Sequence, residues 1–86
     1  MENKYVDSSK LHRSVYPLPD DILAELSKRN LLEAYKARPD YQKNDYIGWI
    51  SRAKRMETRE KRLNQMLAEL ASGDKYMNME YRPKET

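Results

Sequence analysis

Lys54, Arg55, Arg59 and Arg62 are the residues of this chain whose types and spacing could do chemistry, and that chemistry is the binding of an anion. On one continuous helix Arg55, Arg59 and Arg62 fall at i, i+4 and i+7 and share a stripe, which Arg52 joins if two successive helices run nearly continuously. Residues 51–65 hold six basic side chains against two acidic ones, a local +4 in a chain whose net charge is +3. The rest of the chain is therefore close to balanced, and the surplus marks where an anionic partner would bind. The competing reading is structural, since charge runs are usually solvated faces or sources of interhelical pairs. Asp45, one turn before Trp49, is placed to cross between helices and pair with Arg59 or Arg62, because a guanidinium fork matches a carboxylate. Thr58 and Glu57 suit the start of a helix rather than any chemistry, and Asp45 and Thr58 would orient such a site.

Catalytic chemistry finds no comparable set. No nucleophile stands at a spacing that implies a base, no metal-ligand spacing occurs, and two Gly among 86 residues cannot build a phosphate-cradling loop. His12 is the single His and has no second ligand, Cys is absent, and the five Met are spread as packing residues are. No catalytic residue, metal or cofactor is expected, and the chain does not read as an enzyme.

The elements that must position these residues are helical. Residues 1–18 form an arm without helical period, extended around Pro17 and Pro19 because each Pro pushes its predecessor out of the helical region. Pro19 at the first helical position, followed by Asp20 and Asp21, starts a short helix that buries Ile22, Leu23 and Leu26 and ends near Arg29. Asn30-Leu31-Leu32-Glu33 has the form of a capping box for a second helix over 31–37, which Pro39 stops. A third helix over 40–54 places Tyr46, Trp49, Ile50 and Ala53 on one buried face, with Trp49 as anchor. A fourth over 57–71 buries Leu63, Met66, Leu67, Leu70 and Ala71, and Gly73 stands where a left-handed cap is expected. Extended backwards, that stripe passes through Met56 and brings Arg59 to the core edge, where an unpaired guanidinium would be costly. Residues 74–86 form a tail without clean period, whose Tyr76, Met77, Met79 and Tyr81 either dock on the core or project from it.

A chain of 86 residues is one domain that buries only about 60–65% of its unfolded surface. Charged residues make up 36% and apolar ones 38%, the balance of a helix-rich folded domain rather than a disordered chain. The expected fold is all-α: a small single domain of about four short helices over 19–73, between an extended N-terminal arm (1–18) and a C-terminal tail (74–86). No apolar run reaches the length of a membrane span, and the first twenty residues lack a signal-peptide core, so the expected location is the cytoplasm.

Residues 15–74 resemble the bacterial bacteriocin-protection, YdeI or OmpD-associated family. Its C-terminal signature is matched by Asp45-Tyr46, Trp49-Ile50, Ala53-Lys54, Glu57-Thr58-Arg59, Arg62, Met66-Leu67, Leu70 and Gly73, with Met56 standing where the family often has Pro. Its upstream feature, a Pro followed by acids and a short Leu-containing helix, is matched by Pro19 through Leu26. The resemblance implies a part in protection against bacteriocins or antimicrobial peptides and, for some members, association with an outer-membrane porin; it implies no catalytic residues. The expected function is that of a non-enzymatic helical binding protein with a protein or peptide partner. The alternative is binding of nucleic acid or another anion through residues 52–62, which Glu57 and Glu60 weaken by interrupting the patch and for which no Asn or Gln cluster is placed to read base edges.

Overall fold

Four α-helices and one minimal β-hairpin follow one another in the computed structural model, which describes residues 15–81. Residues 1–14 of the expected arm, His12 among them, and residues 82–86 with Pro83 lie outside the described residues. The helices are α1 (Asp20–Lys28), α2 (Leu32–Lys36), α3 (Asp40–Ser51) and α4 (Met56–Ser72), and the strands β1 (Lys75–Tyr76) and β2 (Met79–Glu80) pair antiparallel with Tyr76 opposite Met79. The all-α class holds, the two-residue strands being the only sheet among the described residues.

Two helices begin alike. Pro19 and Pro39 each take the N-cap with ψ near 150°, one residue ahead of the expected first helical position for Pro19. Their carbonyls accept the first helical amides, Leu23 N at 2.9 Å and Lys43 N at 3.1 Å. Pro lacks the donor a helix start leaves unpaired, and Asp20 and Asp40 follow at the positive end of each dipole.

Asn30 does not cap α2 as the expected capping box requires. It lies in the left-handed region at φ 59° and closes α1 instead, with Leu31 N donating to Leu26 O (2.7 Å) and Asn30 N to Ser27 O (3.2 Å). That pair of bonds is a Schellman closure, and Asn tolerates the left-handed position better than most residues. With Asn30 so engaged, α2 starts from Leu31 without a side-chain cap.

The core gathers Ile22 and Leu26 of α1, Tyr35 of α2, Tyr46, Ile47 and Ile50 of α3, and Leu63, Met66, Leu67 and Leu70 of α4. Four placements need correction. Trp49 is half-buried against this cluster, while Tyr46, fully buried, is the anchor of α3. Ala71 and Leu23 are exposed. Met56 is also exposed, at 70%, so the apolar stripe of α4 begins at Leu63 rather than running back through its first turn.

Helix α3 ends at Ser51, short of the expected residue 54, and Arg55, in extended backbone, starts α4. Ala53 therefore belongs to the link, not to the helix face. At the other end α4 closes on Gly73 at φ 81°, as its position implied, with Gly73 N bonded to Glu69 O at 2.9 Å. This turn sends the chain back as the hairpin, and Tyr76 and Met77 pack against the core.

Candidate functional site

The link between α3 and α4 separates the four candidate cations. Lys54 and Arg55 are exposed, and among the described residues Arg55 meets Glu57, at 3.9 Å. Arg59 turns to α1, where it meets both carboxylate oxygens of Asp21, Nη1 at 2.5 Å and Nη2 at 3.3 Å. This contact holds the Asp21 carboxyl below its usual range. Arg62 turns to α3: its Nη1 donates to the Trp49 carbonyl at 2.7 Å and its guanidinium lies 5.3 Å from the centre of the Trp49 ring. That carbonyl is among the last four of α3, and Ala53 N donates to Ile50 O instead. Arg62 thus caps a helix end with the charge its dipole favours.

Asp45 pairs with neither arginine. It accepts a hydrogen bond from the Tyr76 hydroxyl across to the hairpin, and burial, together with this bond, pushes the Tyr76 pKa up. Thr58 is half-buried in the first turn of α4, which no side chain caps. The candidate site therefore consists of Lys54 and Arg55 beside Glu57, Glu60 and Lys61, a surface of mixed sign with a shallow depression lined by Arg55, Thr58, Lys61 and Asn64. It can hold a polar partner loosely, and no carboxylate or phosphate cradle is formed there.

Among the described residues the most organised polar cluster lies at the opposite end of α4. Glu69 is 4% exposed, and its carboxylate accepts four hydrogen bonds. Tyr46 Oη (2.5 Å) and Met77 N (2.8 Å) bond to Oε1, and Gln65 Nε2 (3.1 Å) and Asn78 N (2.8 Å) to Oε2. Burial alone would raise its pKa, but the Tyr46 hydroxyl, the Asn78 and Met77 amides and Gln65 outweigh that and hold the group ionised below its usual 4.5. Burial, and after it the same contact, drives the Tyr46 pKa up. Residues 77 and 78 both have positive φ (52° and 65°), the requirement of a type I′ hairpin turn, and their amides face the carboxylate. With every oxygen occupied, Glu69 is a latch for the hairpin rather than a free base.

Beside it sits Arg38, 6% exposed, at the end of α2. It donates to Gln42 Oε1 (3.0 Å) and to the Glu69 main-chain carbonyl (3.2 Å), and its guanidinium lies 4.7 Å from the centre of the Tyr81 ring. Gln42, fully buried, bonds on to the Tyr41 hydroxyl at 3.2 Å. Sequence reasoning missed Arg38, Gln42 and Glu69. The available signal was Glu69 falling three residues after Met66 on the edge of the apolar stripe, where an unpaired carboxylate would be expensive; nothing in residues 74–81 named its donors.

Tyr16, at the inner end of the arm, donates its amide to Asn44 Oδ1 at 2.8 Å and crosses α3 where Gly48 leaves room. A Cβ at Gly48 would stand 3.0 Å from Arg52 Nη1 and 3.5 Å from the Tyr16 ring. Among the described residues no group of three or more acidic or His side chains could hold a metal ion, and no helix is long and apolar enough to cross a membrane.

The model of the family described as bacteriocin-protection, YdeI or OmpD-associated matches residues 15–73. The matched segment runs from the Tyr16 crossing to the Gly73 cap and leaves the hairpin outside. No curated protein matches the chain, and no solved structure does.

Proposed function

The chain belongs to the bacteriocin-protection, YdeI or OmpD-associated family, and from that membership we propose that it is a non-enzymatic binding protein, acting in the cytoplasm, that contributes to protection against bacteriocins or other antimicrobial peptides through a protein or peptide partner. The observation that supports a protein over a nucleic acid is the use made of the arginines. Arg59 and Arg62, half of the candidate anion site, tie α4 to α1 and to α3, and Glu57 and Glu60 lie among the cations that remain. A nucleic-acid surface needs several unpaired cations facing one way.

A sensitive bacterial strain expressing the chain, challenged with a panel of bacteriocins and cationic peptides, should survive better than the same strain carrying an empty vector. Unchanged survival across the panel would remove the protective role. Duplex DNA added to the isotope-labelled protein should leave the amides of residues 52–62 in place at physiological salt; shifts there that weaken steeply as salt rises would favour the nucleic-acid alternative.

A further inference from the structure

We infer that the cavity between α2, the end of α4 and the hairpin is a binding site for a small amphipathic carboxylate, an acid with one ring or a short alkyl chain, whose charged end pairs with Arg38. The cavity, of about 190 Å³, is lined by Ala34, Ala37, Arg38, Leu70, Gly73 and Tyr81. Drug-sized ligands occupy roughly 300–1,000 Å³, so this one takes a single ring or a few carbons. Apart from one cation, its walls are mostly apolar.

That cation is held in an unusual state. A buried arginine is ordinarily matched by a carboxylate, because an unpaired charge away from water is costly. Arg38 has none within ion-pair distance among the described residues. Its acceptors are an amide oxygen and a main-chain carbonyl, and the carboxylate of Glu69, the nearest candidate by element, is committed to Tyr46, Gln65 and the turn amides. A guanidinium has five N–H donors, and among the described residues two of them have acceptors, Gln42 Oε1 and the Glu69 carbonyl. The fold thus holds a positive charge rigidly, between Gln42 and the face of Tyr81, at the wall of an apolar cavity, and leaves donors over. A carboxylate matches that cation by charge, and an apolar tail matches Ala34, Ala37 and Leu70. Tyr81 N donates to Asp74 O at 2.9 Å, which closes the hairpin base and keeps the ring in place as one wall.

The test is a titration of the isotope-labelled full chain with benzoate and with hexanoate, each against its neutral amide, benzamide or hexanamide. Saturable shifts at the amides of Ala34, Ala37, Gly73 and Tyr81 and at the Arg38 side chain, with binding by the amides at least about tenfold weaker, are the expected result. Ala37→Leu, on an exposed helix end, narrows the cavity without touching Arg38, and should weaken benzoate about tenfold while leaving the remaining spectrum folded. No saturation by either acid into the millimolar range, or equal binding by the acids and their amides, overturns the assignment from the unmodified protein alone. Undiminished binding by folded Ala37→Leu overturns it equally. A peptide ending in a free carboxylate that binds while both small acids fail would also overturn it, since the occupant would then be a chain terminus.

Discussion

Glu69 shows how one carboxylate can decide the placement of a turn whose amides lie 8 and 9 residues further on. Charge-assisted hydrogen bonds contribute about 1.5–3 kcal/mol each when a partner is removed. Replacing Glu69 with Gln keeps the shape but removes the charge and turns a donor toward groups that need an acceptor, so Glu69→Gln should lose about 2–3 kcal/mol of stability in urea unfolding. The amides of Met77 and Asn78 should exchange faster with solvent at the same time. The pH dependence has a definite sign. Because the folded-state pKa of Glu69 is depressed below 4.5, the unfolded chain takes up the proton first as pH falls. Its contribution is therefore complete above the unfolded value and is lost as pH drops below about 4.5 through the folded one. The unmodified protein should show a melting temperature that falls in that acid window, and Glu69→Gln a flatter profile; parallel profiles would show that Glu69 is not the group responsible.

Asp45 gives a second residue-scale prediction, because its observed partner differs from the one its position implied. Asp45→Asn should move the Tyr76 ring signals and leave the Arg59 and Arg62 side-chain signals where they are. Coupled shifts at the arginines would contradict the observed pairing.

At the scale of elements, the caps explain where the helices stop better than their apolar stripes do. Gly73 has a positive φ that L side chains rarely adopt, and a Cβ there would meet nothing within 4 Å. Gly73→Ala should therefore cost about 1 kcal/mol, of conformational and not steric origin, read as a lowered midpoint in urea with the native spectrum retained. Arg62 does comparable work between two elements: from α4 it caps the Trp49 carbonyl, one of the last four of α3. Chain periodicity alone extends α3 to residue 54, since Ala53 falls on the right face. The helix instead closes at Ser51, and a carbonyl of its last turn is taken up by a side chain from the next helix, a long-range contact that a local pattern does not contain.

For the whole molecule, the hairpin is the keystone of a small core. Tyr76 sets its ring edge-on to Tyr46 at 5.5 Å and to Tyr41 at 6.0 Å, and the turn supplies two of the four donors to Glu69. A chain ending after Gly73 would uncover Tyr46 and strand a buried carboxylate, so its stability should fall by about 3–5 kcal/mol. Equilibrium unfolding of the shortened chain measures this. A loss under 1 kcal/mol would mean that the hairpin merely rests on the core.

The sequence by itself determined the class and much of the frame. Pro19 and Pro39 with their acids, the stripes through Ile22 and Leu26 and through Leu63, Met66, Leu67 and Leu70, and Gly73 after the last helix are local signals, and local signals survive folding because backbone sterics and helical period act within a few residues. The family was legible in residues 45–73 for the same reason. Only the tertiary structure decided the partners of the charges: Arg59 with Asp21, Arg62 with Trp49, Asp45 with Tyr76, and Glu69 with a turn that has no Asn-Gly or Asp-Gly signature. Each of these joins residues 8 to 38 positions apart. An arginine's long side chain can reach several acceptors from one position, so its choice depends on where other elements come to lie.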